Sequence, residues 1–142
     1  MATTRKAAAH WEGSLLEGKG EVSFNSSNLG TYPVTWAARS AEPNGVTSPE
    51  ELIAAAHSTC FSMALSHALA QAGSPADTLD TAAEVDFQPG TGITAIRLKV
   101  VAAVPGLTED EFADFAAKAK EGCPVSQALK AVPISLEAEL RV

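Results

Sequence analysis

The sequence predicts an α+β fold in which blocks of short antiparallel strands alternate with helices. Two observations support this prediction. The segment from about 49 to 71 is rich in Ala and Leu and carries the capping residues of a long helix, while residues 93–104 alternate apolar and charged side chains as a half-buried strand does. The predicted order is three strands, a helix, two strands, two helices and a final strand, with residues 1–142 as one domain.

The composition is typical of a folded soluble protein. Hydrophobic residues make up 46% of the chain, the formal net charge is −7, and no basic cluster occurs. This charge balance argues against a general affinity for nucleic acid or for anionic membranes. The N-terminus lacks an apolar run, and Ser, Thr and His interrupt the apolar helix, so we expect no signal peptide and no membrane span. A cytoplasmic location is therefore expected, where permanent disulfides are rare.

Three short segments with strand character open the chain and are predicted to form an antiparallel meander. They cover residues 7–11, 21–24 and 34–39, with Gly- and Asn-containing turns between them. Arg39 ends the third predicted strand, a position where a charged side chain is often simply solvated.

The long helix that follows has clear signals at both ends. Ser48 suits the N-cap, Pro49 suits the first helical position, and Glu51 completes a capping box with Ser48. Gly73 and Pro75 end the helix. Its surface is apolar almost all round, which predicts burial in a core or in a subunit interface.

The second half of the chain is predicted to contain a hairpin, two helices and a closing strand. Residues 82–88 and 93–104 alternate as the two strands of the hairpin. Thr108 and Glu111 form a second capping box at the start of the next helix. Residues 133–142 alternate again and are predicted to be the closing strand.

The two cysteines are the candidates for chemistry. Cys60 lies in the middle of the apolar helix, where a lone buried cysteine is more often a small hydrophobic residue. Cys123 follows a helix stop at Gly122, and Pro124 suits the start of a short helix, which places Cys123 at its N-cap. This position favours the nucleophilic thiolate, although a structural role explains Cys123 equally well from the residues alone.

A metal site is an alternative use of the same cysteines. His57 and Cys60 are one helical turn apart, His67 follows on roughly the same face, and Cys123 is a candidate fourth ligand. Zinc ligands usually come in close pairs from loops, and the absence of a second pair argues against this reading. Phosphate-binding glycine loops and the GxSxG hydrolase motif do not occur.

Two stretches together resemble the OsmC/Ohr family: residues 47–65 (TSPEELIAAAHSTCFSMAL) and residues 122–129 (GCPVSQAL). The opening HWEG at 10–13, GKG at 18–20 and the predicted strand ending in Arg39 resemble the osmotically inducible protein C (OsmC) branch. The resemblance covers nearly the whole chain, and the joint pattern is specific.

The resemblance implies an OsmC-like fold, an intertwined homodimer with the Cys60 helix buried at the core or interface, and a thiol-dependent peroxidase. It implies a preference for organic hydroperoxides and a role in oxidative or osmotic stress defence. By position, Cys60 corresponds to the peroxidatic cysteine, Cys123 to the resolving one, and Arg39 with Glu50 to the polar pair that activates the thiol. An external dithiol, of lipoyl type in the family, would reduce the Cys60–Cys123 disulfide without metal or other cofactor.

The resemblance also leads to an expectation about the subunits. Glu50 and Cys60 are ten residues apart on one predicted helix, about 15 Å along its axis, which a glutamate side chain does not span. We therefore expect Glu50, with Arg39 held by a bidentate pair, to serve the cysteine of a second subunit. Apolar residues near Cys60 are expected to line the substrate pocket: Ile53, Phe61 and Met63.

Two alternatives to a peroxidase remain open at this point. One is a non-catalytic binding module of the same fold, which would not consume peroxide. The other is a redox sensor whose Cys60–Cys123 disulfide signals to a partner, which would react once rather than turn over.

Overall fold

The structure, a computed structural model, describes residues 1–141 and divides into two compact units, Met1–Leu52 and the chain from Ile53 onward. Six strands and four helices are formed by the described residues, in the order β1 (Ala8–Glu12), β2 (Lys19–Ser23), β3 (Thr31–Val34), α1 (Trp36–Ser40), α2 (Pro49–Gln71), β4 (Thr78–Gln88), β5 (Gly92–Ala103), α3 (Glu109–Gly122), α4 (Pro124–Ala128) and β6 (Ile134–Leu140).

The first unit is built on an antiparallel sheet in which β2 lies between β1 and β3. Gly20 faces Trp11 across the β1–β2 pair, and a Cβ on this glycine would lie 2.6 Å from the indole ring. The close approach explains why only glycine fits there. Little of this unit is buried: Ala38 and Glu50 are its buried residues.

The predicted third strand over 34–39 is wrong beyond its first residue. Strand β3 ends at Val34, and the chain turns at once into the five-residue helix α1. Thr35 causes this change of direction as the N-cap, because its hydroxyl accepts a 3.1 Å hydrogen bond from the Ala38 amide. Arg39 therefore lies in the last turn of a helix rather than at the end of a strand.

Helix α2 has the predicted bounds. Of the two hydrogen bonds of the predicted capping box at its start, one is formed and the other is replaced. The Ser48 hydroxyl accepts from the Glu51 amide at 3.1 Å, as an N-cap does. The Glu51 carboxylate accepts from the Thr47 hydroxyl at 2.6 Å instead of closing the capping box.

Helix α2 buries one face and leaves the other open. Phe61, Leu65 and Leu69 are fully buried, whereas Met63 is 68% exposed. By length and composition alone, α2 is apolar enough to cross a membrane, with a mean hydropathy of 1.3. That test is weak, because the core helix of a soluble protein passes it equally well.

The second unit contains the hydrophobic core and a sheet in the order β4-β5-β6. Strands β4 and β5 form the predicted antiparallel hairpin, while β6 pairs with β5 in parallel. A parallel neighbour needs a crossover connection, which helices α3 and α4 supply. The core lies between the sheet and the helices and is formed by Phe61, Leu65, Leu69, Leu98, Val100, Ala102, Val104, Phe112, Ala116, Ala119 and Cys123.

Strand β4 begins at Thr78, four residues before its predicted start, and the remaining boundaries agree with prediction to within two residues. Thr108 and Glu111 form both hydrogen bonds of the capping box at the start of α3. Cys123 separates α3 from α4 and is the N-cap residue of α4. The predicted closing strand over 133–142 is β6, which ends at Leu140; Val142, the last residue of that prediction, lies outside the described residues.

Candidate active site

The fold brings the two cysteines together. Cys60 lies near the middle of α2 and Cys123 at the α3–α4 junction, 63 positions later. Cys123 is fully buried within the core, and half-buried Cys60 packs against that core. Both thiols are free, and they lie close enough for each to shift the pKa of the other.

The pKa values of the two thiols are shifted in opposite directions. Burial disfavours the thiolate of Cys123, but hydrogen bonding from the Ser126 amide, the Cys60 thiol and the Ser126 hydroxyl brings the pKa of Cys123 below its ordinary value. Burial and the neighbouring Cys123 raise the pKa of Cys60, and the Val125 amide only partly opposes them. The sulfur of Cys123 forms no capping hydrogen bond of standard geometry, so several weak contacts share this stabilisation. Cys123 is therefore the more acidic of the two thiols.

A histidine–serine pair that the sequence reasoning missed lies beside the cysteines. His57 Nε2 is 2.7 Å from Ser126 Oγ, and both side chains are buried. Burial lowers the pKa of His57, so the imidazole is neutral near neutral pH. The available signal was spacing, since His57 stands one helical turn before Cys60 and Ser126 three residues after Cys123.

The first unit contains the predicted bidentate pair between Arg39 and Glu50. Arg39 Nε donates to Glu50 Oε1 at 3.1 Å, and Arg39 Nη2 donates to Oε2 at 2.9 Å. Glu50 is 7% exposed, while about a third of the Arg39 side chain faces solvent. Glu50 therefore holds the guanidinium in a fixed plane. The action of this pair on a cysteine remains a prediction.

An apolar cleft of about 440 Å³ lies in the first unit beside Arg39. Its walls are mainly aromatic and aliphatic side chains, among them Trp11, Leu15, Val22, Trp36 and Leu52. The expectation that Phe61 lines a substrate pocket is wrong, because Phe61 is fully buried in the core of the second unit.

The histidine and cysteine side chains do not assemble into a metal centre in the part of the chain that the structure describes. Within residues 1–141, His, Cys, Asp and Glu side chains form no group of three or more that could hold an ion. His67 is exposed, whereas His57 and Cys123 are buried. The four-ligand alternative of His57, Cys60, His67 and Cys123 is not formed.

A family model described as "OsmC-like protein" matches residues 42–137, a range that contains Glu50, Cys60 and Cys123. The chain belongs to the OsmC-like family. It is 46% identical over 144 aligned residues to the peroxiredoxin OsmC of Escherichia coli (strain K12), an alignment that covers 99% of each protein. The peroxiredoxin OsmC of Shigella flexneri matches to the same extent.

Solved structures share the OsmC-like fold at lower sequence identity. The crystal structure of an organic hydroperoxide resistance protein from Elizabethkingia anophelis matches with a TM-score of 0.73 and 23% identity, over 99% of this chain and 100% of that one. An OsmC-like protein from Mycoplasma pneumoniae matches with a TM-score of 0.75 and 14% identity over all of both chains. At these identities the likeness concerns the fold.

Proposed function

We propose that this OsmC-like protein reduces organic hydroperoxides to alcohols by thiol chemistry, as part of oxidative or osmotic stress defence in the cytoplasm. Its enzyme class follows from relatedness: a chain 46% identical along its full length to peroxiredoxins is a cysteine-based peroxidase. The observation that supports the specific reaction is the meeting of Cys60 and Cys123, from separate elements, at a distance where each thiol shifts the pKa of the other.

In the first proposed step, the Cys60 thiolate attacks the peroxide. A bond forms from Cys60 sulfur to the terminal oxygen while the O–O bond breaks, and the departing alkoxide takes a proton to become the alcohol. The sulfur is oxidised to sulfenic acid and the peroxide is reduced by the same two electrons.

In the second step, the Cys123 thiolate attacks the sulfenic sulfur of Cys60. The S–S bond forms, the S–O bond breaks, and hydroxide leaves and is protonated to water. An external dithiol then reduces the disulfide by exchange and is itself oxidised. A lipoyl-type dithiol is our candidate reductant.

The asymmetry of the thiol pair requires a cation for the first step. Cys123 is the more acidic thiol of the pair, whereas the peroxide reaction needs the thiolate on Cys60. The Arg39–Glu50 pair can supply the missing charge, because a guanidinium stays protonated and offers several donors to a thiolate and to the departing alkoxide. The apolar cleft beside Arg39 suits the organic group of the substrate.

The cation is proposed to come from a second subunit. Glu50 and Cys60 stand ten residues apart on the continuous helix α2, a rise of about 15 Å. A homodimer would bring the Arg39–Glu50 pair of one subunit to Cys60 of the other. It would also cover the open face of α2 around Met63.

The test is a dithiol-coupled peroxidase assay that compares tert-butyl and cumene hydroperoxide with hydrogen peroxide. Wild type should turn over repeatedly and prefer the organic peroxides, and Cys60→Ser should abolish turnover. Cys123→Ser should react once and then over-oxidise. Thr59→Ala is the matched control, because that exposed hydroxyl bonds only its own helix, at the Ala55 carbonyl.

Two results would contradict the proposal. An enzyme with both thiols free that consumes no peroxide would indicate a binding module. A single stoichiometric oxidation without recycling by any dithiol would indicate a redox sensor.

A further inference from the structure

The mechanism above does not use the buried contact between His57 and Ser126. The two residues are 69 positions apart, come from α2 and α4, and meet at 2.7 Å next to the thiol pair. A buried polar contact of this kind carries a desolvation cost, which the fold must offset. This cost favours a positioning role for the contact over a purely stabilising one.

The hydrogen-bond inventory of His57 indicates which ring nitrogen carries the proton. Nδ1 of His57 is buried and has no hydrogen-bond partner among the described residues. A proton on Nδ1 would leave a buried N–H donor unpaired, which is rarer and costlier than an unpaired acceptor. The favoured tautomer therefore has its hydrogen on Nε2, where it is donated to Ser126 Oγ.

This tautomer determines the direction of the Ser126 hydroxyl. Because Ser126 Oγ accepts from His57, its own hydrogen is free for another acceptor. Ser126 is the third residue of α4, a position whose side chain faces the N-cap residue, here Cys123. Hydrogen bonding from this hydroxyl is one of the causes that lower the pKa of Cys123.

We propose that His57 and Ser126 are positioning residues for the resolving step: His57 fixes the Ser126 hydroxyl as a donor to the Cys123 sulfur. This inference rests on the proposed function, since the step served is the attack of Cys123 on the sulfenic sulfur of Cys60. With the hydroxyl fixed in this direction, residues of α2 and α4 together favour the thiolate form of Cys123, which is the form that attacks the sulfenic acid.

The direct test titrates Cys123 by its thiolate absorbance in a Cys60→Ala background, where Cys123 is the single thiol. The remaining titratable neighbour in the network is His57. Ser126→Ala and His57→Leu should both raise the pKa of Cys123. Ser126→Thr and His57→Gln keep a hydroxyl and an N–H donor at the same places, and they should restore it.

A kinetic measurement adds a second readout with both cysteines present. Loss of one hydrogen bond to a charged group lowers the thiolate fraction about tenfold at a pH below the pKa. The more basic thiolate is about threefold more nucleophilic, so disulfide formation from the sulfenic acid should slow about threefold in Ser126→Ala.

Thr81→Val is the matched control for a purely structural effect. It removes another internal hydroxyl pair of the second unit, Ser62 Oγ with Thr81 Oγ1 at 2.6 Å, which does not involve the cysteines. This variant should lose stability without moving the pKa of Cys123.

The inference fails if Ser126→Ala and His57→Leu change stability but leave the pKa of Cys123 unchanged. If Ser126→Ala does not fold, the comparison of His57→Leu with His57→Gln decides, and equal pKa values would overturn the inference. The titration uses no peroxide, so its outcome is separate from the peroxidase assay that tests the proposed function.

Discussion

The two units of this protein differ sharply in how much they bury. From Ile53 onward, a continuous cluster joins α2, the sheet and α3, with Phe61 and Phe112 almost fully inaccessible. In Met1–Leu52, by contrast, large apolar side chains stay open, and Leu16 is 77% exposed. The buried polar groups differ in kind: the first unit buries a carboxylate, Glu50, in an ion pair, whereas the second unit buries the uncharged pair of His57 and Ser126.

This difference indicates separate tasks for the two units. Burial of apolar surface is the main term that offsets chain entropy, and the second unit alone has a core of its own. The first unit instead offers an apolar cleft and a fixed guanidinium, which are features of a surface that binds a ligand or a partner. In our proposal the partner is the cysteine-containing unit of a second copy of the chain. The second unit then provides the stability of the fold, and the first unit provides the cation that activates Cys60 of the other subunit.

The largest expected effect is on the core of the second unit. Phe112→Ala should lower the free energy of unfolding by about 3 to 5 kcal/mol, because it removes a fully buried aromatic ring and leaves a cavity. Leu16→Ala in the first unit should cost no more than about 0.5 kcal/mol, since that side chain is exposed. Urea unfolding of both variants measures the contrast. Equal losses would mean that Leu16 is buried in solution, and the comparison of single-chain units would fail.

A second prediction concerns the open face of α2. Met63→Glu should weaken the proposed dimer at least about a hundredfold, because an unpaired carboxylate in an interface costs about 3 kcal/mol. Sedimentation velocity over a dilution series measures the dissociation. Ala117→Glu adds the same charge on the exposed face of α3 and should leave the dimer intact. Unchanged association of Met63→Glu would argue that α2 is not the contact surface.

The third prediction uses the buried histidine. Burial lowers the pKa of His57 below 6.5, so below pH 6.5 the unfolded chain binds a proton that the folded chain still excludes. The free energy of unfolding should therefore fall as pH drops from 6.5 toward the folded-state pKa of His57, and this contribution should level off below it. Urea titrations at a series of pH values measure the slope.

A matched pair of variants isolates the contribution of His57. His57→Gln should flatten the pH dependence, whereas His67→Gln, which replaces an exposed histidine on the same helix, should leave it in place. An identical slope in wild type and His57→Gln would show that another group is responsible.

The smallest expected effect is at the start of α3. Thr108→Ala removes the N-cap hydroxyl and should cost about 1 kcal/mol, since the Glu111 amide loses its acceptor while the buried face of the helix is untouched. Chemical unfolding measures this loss. Thr91→Ala, in the turn between β4 and β5, is the control and should change stability little. A loss as large as that of Phe112→Ala would show that Thr108 stabilises more of the protein than the first turn of α3.

Helices were the most predictable elements because their ends are decided locally. Ser48 with Pro49 and Thr108 with Glu111 start α2 and α3 within a few residues of sequence, so the caps could be predicted without knowing the fold. Helix α1 escaped prediction because five residues give no helical period, and Thr35 is equally at home in a strand.

Features that depend on distant partners were less accessible. The alternation of β6 predicts a strand but not the direction of its neighbour, so the parallel β5–β6 pair was not foreseen. The proximity of Cys60 and Cys123 came only from the family resemblance, because their spacing carries no information about distance. The His57–Ser126 contact joins residues 69 positions apart, so the spacing of each residue from a cysteine was its only sequence signal, and the family resemblance gave no expectation of it.

The long separation between the two cysteines has a thermodynamic consequence. Oxidation would close a loop of 63 positions, and the lost freedom of the unfolded chain corresponds to about 4 kcal/mol in favour of the folded state. Oxidation by peroxide would then stabilise the folded protein against unfolding, and reduction by the dithiol would remove that stabilisation. The stability would alternate with each catalytic cycle, and the melting temperature alone would report which redox form a sample contains.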